Sequence, residues 1–116
     1  MTNLEFWELR DRLQDFTRDR NWEQFHTIRN LLLALVGEVG ELAESVQWLG
    51  EIDQTFFEEN PEKRKAFEEE LADVLIYLVR LADVSGINLL EAANAKIQKN
   101  ENRYTIESSK GNAEKR

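Results

Sequence analysis

The sequence predicts an all-α protein, and three observations carry that prediction. Only one Pro and five Gly interrupt 116 residues. Apolar side chains recur at three- and four-residue spacing over long stretches, the period of a helix with one buried side. No alternating run of β-branched and polar residues marks a strand. A chain of this length makes one domain, and so small a core favours association with further copies to cover apolar surface.

The first helix is expected over residues 4–20, with Thr2 and Glu5 at capping-box spacing and Leu9, Leu13 and Phe16 on its apolar side. Trp22 and Phe25 fall in a short connection. The second is expected over residues 27–49. Ile28, Leu31, Leu32, Leu35, Val39, Leu42 and Val46 form its stripe, and Gly50 follows its C-terminus. Residues 51–60 lack a period and read as a loop. Asn60 followed by Pro61 starts a third helix, Asn as cap and Pro in the first turn. That helix reaches about residue 85, carries Phe67, Leu71, Val74, Leu75, Leu78 and Leu81 on one side, and ends at Gly86. Asn88 and Glu91 cap a fourth helix running to about residue 103. Residues 1–104 thus read as one four-helix-bundle-like domain. Residues 105–116 are small, polar and charged and are expected to be a disordered tail.

Composition narrows the function. Net charge is −8, from 23 acids against 15 Lys and Arg, so duplex nucleic acid is repelled and no basic stripe offsets the field. Without cysteine there is no disulfide, thiolate metal site or cysteine nucleophile. The first residues lack the basic and apolar regions of a signal peptide, and the longest apolar run, residues 31–36, is far short of a membrane span. The expectation is a cytoplasmic protein with neither nucleic acid nor membrane as partner.

The informative feature is a pair of acidic pairs. At about 100° per residue, Glu41 lies about 60° from Glu38 on the second helix, and Asp73 lies about 60° from Glu70 on the third. In both helices the apolar stripe falls on the opposite side of the first acid, so packing the stripes together brings all four carboxylates to one seam. An acidic pair on a helix is ordinarily a solvated face, but a second pair in matched phase argues against that here. Two charges 4 Å apart repel by about 4 kcal/mol at an effective dielectric of 20. No Lys or Arg occurs in residues 30–62 or 66–79 to compensate. Raised carboxyl pKa values or bound divalent cations are the remaining resolutions.

Glu38-Val39-Gly40-Glu41-Leu42-Ala43-Glu44 and Glu70-Leu71-Ala72-Asp73-Val74-Leu75-Ile76-Tyr77 resemble the ExxE…ExxD signature of the MazG-like all-α NTP pyrophosphatases. The likeness is greatest to the dCTP pyrophosphatase branch. It extends through residues 21–26, residues 29–37 from Arg29 and Asn30, residues 46–48, and Lys96, Asn100, Arg103 and Tyr104. The resemblance implies a bundle that dimerises or tetramerises, with Mg²⁺, or Mn²⁺ in its place, held by Glu38, Glu41, Glu70 and Asp73. It implies hydrolysis of a (deoxy)nucleoside triphosphate, dCTP or a modified dCTP, to monophosphate and pyrophosphate in nucleotide-pool cleaning. Those same four acids would be the catalytic residues, one glutamate accepting a proton from the attacking water.

Substrate positions follow from the same resemblance. Trp22 and Trp48 match positions that enclose the base, where an indole face can stack, and His26, Arg29 and Asn30 lie in the matching runs. Lys96, Asn100, Arg103 and Tyr104 stand at i, i+4, i+7 and i+8, a face with two cations suited to a triphosphate. Tyr77 falls on the side of Glu70 and Asp73, within reach of phosphate or sugar. The alternatives are a catalytically inactive nucleotide-binding module and a helical interaction domain with solvated acids.

Overall fold

The computed structural model describes residues 5–111 and 113. Among these the secondary structure is entirely helical, as the breaker-poor composition predicts. The N-terminal capping box involves Thr2, which lies outside the described residues.

Helix α1 spans Phe6–Asp19 and ends in a left-handed turn. Asn21 takes φ 57°, a conformation Asn tolerates better than most side chains. This lets the Asn21 amide donate to the Arg18 carbonyl and the Trp22 amide to the Thr17 carbonyl, both at 3.0 Å. The paired bonds satisfy carbonyls that a helix end otherwise leaves open, and they fix where the chain delivers Trp22. A 3₁₀ turn over Glu23–Phe25 follows.

Helix α2, Ile28–Glu44, is capped by Thr27, whose hydroxyl accepts from the Asn30 amide at 3.1 Å. It stops five residues before the predicted end. The Ser45 hydroxyl donates to the Leu42 carbonyl at 2.7 Å, and Val46 and Gln47 turn to the carbonyls three residues back. A serine serving its own backbone tightens the last turn and ends the regular ladder. Gly50 is not the left-handed residue after the helix that the sequence suggested; among the described glycines only Gly86 and Gly111 have positive φ.

The expected loop over residues 51–60 contains helix α3, Gln54–Glu59. Its cap is Asp53, accepting from the Phe56 amide at 2.8 Å, and it is held by Phe57 against Phe67, ring centroids 5.0 Å apart. Asn60 occupies the cap position of helix α4, Pro61–Val84, with no side-chain cap bond. Its amide instead closes α3 by donating to the Phe56 carbonyl at 2.8 Å. Gly86, at φ 69°, ends α4 as predicted.

Through Ser85 the chain forms one compact unit, in which α2 lies along α4 and α1 and α3 each pack on α4. Among the described residues the buried hydrophobic side chains are few: Leu31, Val79 and Ala82. From Gly86 the chain forms a second unit. It holds helix α5, Leu89–Arg103, with Asn88 accepting from the Glu91 amide at 3.1 Å, as the sequence predicts. It also holds helix α6, Ile106–Ser109, a single turn where a disordered tail was expected. The Thr105 hydroxyl accepts from the Ser108 amide, so a cap of the kind that starts longer helices orders this turn despite its polarity.

Candidate functional site

Packing of α2 on α4 brings acids together at the seam. One oxygen from each of Glu38, Glu41 and Glu70 lies within 4.8 Å of the other two. Glu38 and Glu70 are half-buried and Glu41 is exposed. On Glu38 and on Glu70 one carboxylate oxygen, Oε2, is sealed from solvent without any hydrogen-bond partner. Such atoms are rare in folded proteins and ask for an explanation.

Electrostatics agree with the geometry. Burial, then the charges of Glu41 and Asp73, push the Glu38 carboxyl above its ordinary value, with Glu70 adding to the effect. Burial first, then Glu41, then Asp73 and Glu69, do the same to Glu70. Where Glu41 meets either neighbour, two carboxylates can bond only if one keeps a proton. A cation among them removes that need.

The predicted cluster of four is narrower in the structure. Asp73 is outside the close group of three; its side chain is a methylene shorter than Glu, and it lines an adjoining cavity. Its charge nevertheless acts on Glu38 and Glu70. The donor set suits a hard divalent ion, since every ligand atom is a carboxylate oxygen. Oxygens around one octahedral Mg²⁺ at about 2.1 Å stand about 3–4 Å apart. The observed spacing therefore requires only a small closing of three side chains.

The adjoining cavity has a volume of about 370 Å³ and is lined by Leu13, Phe16, Thr17, Trp22, His26, Asp73, Ile76, Tyr77 and Arg80. Three substrate positions expected from the sequence, Trp22, His26 and Tyr77, thus share one wall system with Asp73. Trp22 meets Phe16 edge to face at 5.7 Å, which steadies the indole. His26 is half-buried, and burial followed by the nearby Arg80 charge holds its pKa below 6.5.

Other expected positions stand elsewhere. Trp48 follows α2, is 87% exposed and does not line this cavity. Asn30 spends its side-chain amide on the Phe25 carbonyl at 3.0 Å, holding the turn that carries His26, and Arg29 is exposed. Lys96, Asn100 and Arg103 lie on α5 in the second unit, and Tyr104 caps it. There the Arg103 guanidinium lies 5.6 Å from the Tyr104 ring centroid.

The residue that sequence reasoning missed is Arg80. It is the first cation after the empty stretch of residues 66–79. With Asp73 and Tyr77 it stands at i, i+4 and i+7, so the spacing was a usable signal. Thr17 and Ile76, also in the wall, carried no comparable mark.

A profile of the MazG nucleotide pyrophosphohydrolase domain matches residues 26–105, most of the chain and all of the acidic seam. The chain belongs to this family. Among relatives, the dCTP pyrophosphatase 1 of Rattus norvegicus is 50% identical over 99 residues, covering 85% of this chain and 58% of that protein. The Homo sapiens protein of the same name is 46% identical over 101 residues, covering 87% and 59%. The chain therefore spans under two thirds of the length of these relatives. A pyrophosphatase from Archaeoglobus fulgidus superposes with a TM-score of 0.77 at 40% identity, covering 90% of this chain and 96% of that one. This MazG-family chain thus shares an all-helical fold with a solved pyrophosphatase. None of its described helices is long and apolar enough to cross a membrane.

Proposed function

We propose that this MazG-family chain is a Mg²⁺-dependent nucleoside triphosphate pyrophosphohydrolase that converts dCTP, or a modified dCTP, to the monophosphate and pyrophosphate. The observation that carries the reading is the pair of buried, unpartnered oxygens on Glu38 and Glu70, two of the three acids that converge with Glu41, with the Asp73 charge acting on both. The names of the relatives support the substrate. Residues 1–104 act as the functional domain, in the cytoplasm, in clearing the nucleotide pool.

In this mechanism Glu38, Glu41, Glu70 and Asp73 would hold the metal. Mg²⁺ bound there supplies positive charge against the triphosphate and makes water a better nucleophile at neutral pH. Glu41, the exposed member of the close group, is the carboxylate that solvent reaches, and it takes the proton from the water attacking the α-phosphorus. Trp22 stacks on the base in the adjoining cavity, with His26 and Tyr77 on its walls. The family resemblance also assigns Arg29 and Asn30, and on α5 Lys96, Asn100, Arg103 and Tyr104, to substrate binding. Incubation with a panel of triphosphates and Mg²⁺ should release monophosphate and pyrophosphate, with dCTP preferred. Orthophosphate as the product, or no turnover of any triphosphate, would falsify the reading. Binding of a triphosphate without turnover would instead support the inactive nucleotide-binding module.

The same reading includes self-association. Leu71, Leu75 and Leu78 line an open apolar groove on α4, and Leu32, Leu33, Val36 and Val39 are exposed on α2. With so little apolar surface buried in one chain, a second copy is the occupant these faces fit. We assign Trp48 to the cavity of that second copy, since it does not line its own. Light scattering after gel filtration should give a dimer or tetramer mass, and Leu33→Glu with Val36→Glu should lower it. A monomer at all concentrations would rule out the assignment.

A further inference from the structure

Behind the Trp22 cavity four side chains from three segments form a connected polar array. The Arg80 Nε donates to His26 Nδ1 at 3.0 Å, and the Arg80 guanidinium reaches Asp83 Oδ2 at 3.1 Å. The same Asp83 oxygen accepts from the Gln14 side-chain amide at 2.7 Å. The Arg80 and Asp83 side chains are only 11% and 19% exposed, so this is not a solvated surface pair. The array ties α1 and the turn before α2 to α4, and two of its members, His26 and Arg80, are cavity walls. Nothing in the metal chemistry requires it.

Its chemistry has one forced outcome. A guanidinium can only donate, and it does not lose its proton in proteins. The His26 nitrogen facing it must therefore accept, so the ring is neutral and its hydrogen sits on Nε2. Burial and the Arg80 charge both oppose a second proton. Asp83 accepts from a second nitrogen of the same guanidinium, Nη1, and Gln14 in turn donates to Asp83, so the guanidinium is held at two points.

We propose that Arg80 is the positioning residue that fixes His26 as an Nε2–H donor, so that the His26–Arg80 side of the cavity selects a base edge made of acceptors. This rests on the reading of the cavity as the base site. Cytosine presents its carbonyl oxygen and N3 as adjacent acceptors, whereas N3 of thymine or uracil carries a hydrogen and would face a donor. A buried donor left against another donor loses its hydrogen bond, which is how such a wall rejects the wrong base. The array thus gives a physical origin to a preference for cytosine.

His26 is the only histidine in the chain, so one imidazole signal set can be read without assignment. Long-range ¹⁵N–¹H spectra of the ligand-free protein near neutral pH should show an unprotonated Nδ1 and a protonated Nε2. A protonated Nδ1, or an imidazolium, would overturn the proposal whatever the enzyme's activity. Arg80→Met should mix the tautomers and lower the dCTP over dTTP preference in kcat/KM by about 10–100-fold, mainly through KM. An unchanged preference in that variant would also overturn the proposal. If Arg80→Met does not fold, Asp83→Asn, which loosens the guanidinium without removing it, should move the same ratio in the same direction. Absence of turnover with every triphosphate would tell against the proposed reaction alone, leaving the tautomer measurement as the test of the array.

Discussion

Replacing Glu38 or Glu70 by Gln should abolish hydrolysis while leaving the metal-free protein at least as stable as before. Either change removes one negative charge from a group whose oxygens lie within 4.8 Å of one another and which is proposed to hold the metal. A loss of about 10³-fold in kcat/KM is expected, equivalent to roughly 4 kcal/mol of transition-state stabilisation. Stability moves the other way for a separate reason. In the absence of a cation, both groups are held above their ordinary pKa by burial and like charge, so their ionised forms are unfavourable in the folded state. A neutral amide of similar size relieves that repulsion, and its N–H₂ can bond to Glu41. Steady-state rates with Mg²⁺ and melting curves in chelator check the two halves. Activity within tenfold of the parent would remove these glutamates from the chemistry. A large drop in the chelated melting temperature would mean that the acids are structural.

The second large effect concerns pH and metal removal together. The unfolded chain releases the Glu38 and Glu70 protons near pH 4.5, whereas the folded chain holds them to higher pH. The resulting stability is fully present below about pH 4.5 and is lost as pH rises through the folded values. His26 works in the opposite sense. Its folded pKa is lowered from 6.5, so its contribution is present above that pH and lost as pH falls through the folded value. Mg²⁺ bound at the proposed site would compete only with the carboxyl protons. Its stabilisation should be close to zero at about pH 4.5 and large at about pH 7.5. At a hundredfold excess over Kd it amounts to about 2.7 kcal/mol, a melting rise on the order of 10 °C for a domain of this size. Scanning calorimetry with Mg²⁺ and with chelator at both pH values gives the comparison. Equal metal effects at the two would show that the ion binds elsewhere.

Much of this was legible in the sequence because it depended on local rules. Helical phase placed Glu38, Glu41 and Glu70 on facing sides of α2 and α4, and the structure brings them together. Asn88 and Gly86 act where their residue types predict. What escaped notice was set by side chains with two uses. Asn60 reads as a helix cap but spends its amide on the preceding helix, and Ser45 shortens α2 by bonding backward. Helix α3 is too short to show a period, and the contact that holds it, Phe57 on Phe67, joins it to the next helix, a pairing that helical periodicity within one segment does not report. Arg80 is the same kind of case. Its role depends on His26, 54 residues away, and on Gln14, which shares its Asp83 partner.

The left-handed joint at Asn21 has a consequence for how anything reaches the cavity. Trp22 follows directly on the bonded end of α1, with no length of slack chain between them. Its ring is therefore aimed by the lie of a whole helix along α4, and the Gln14–Asp83 bond pins that helix. The placing of this wall of the cavity thus depends on how α1 packs on α4.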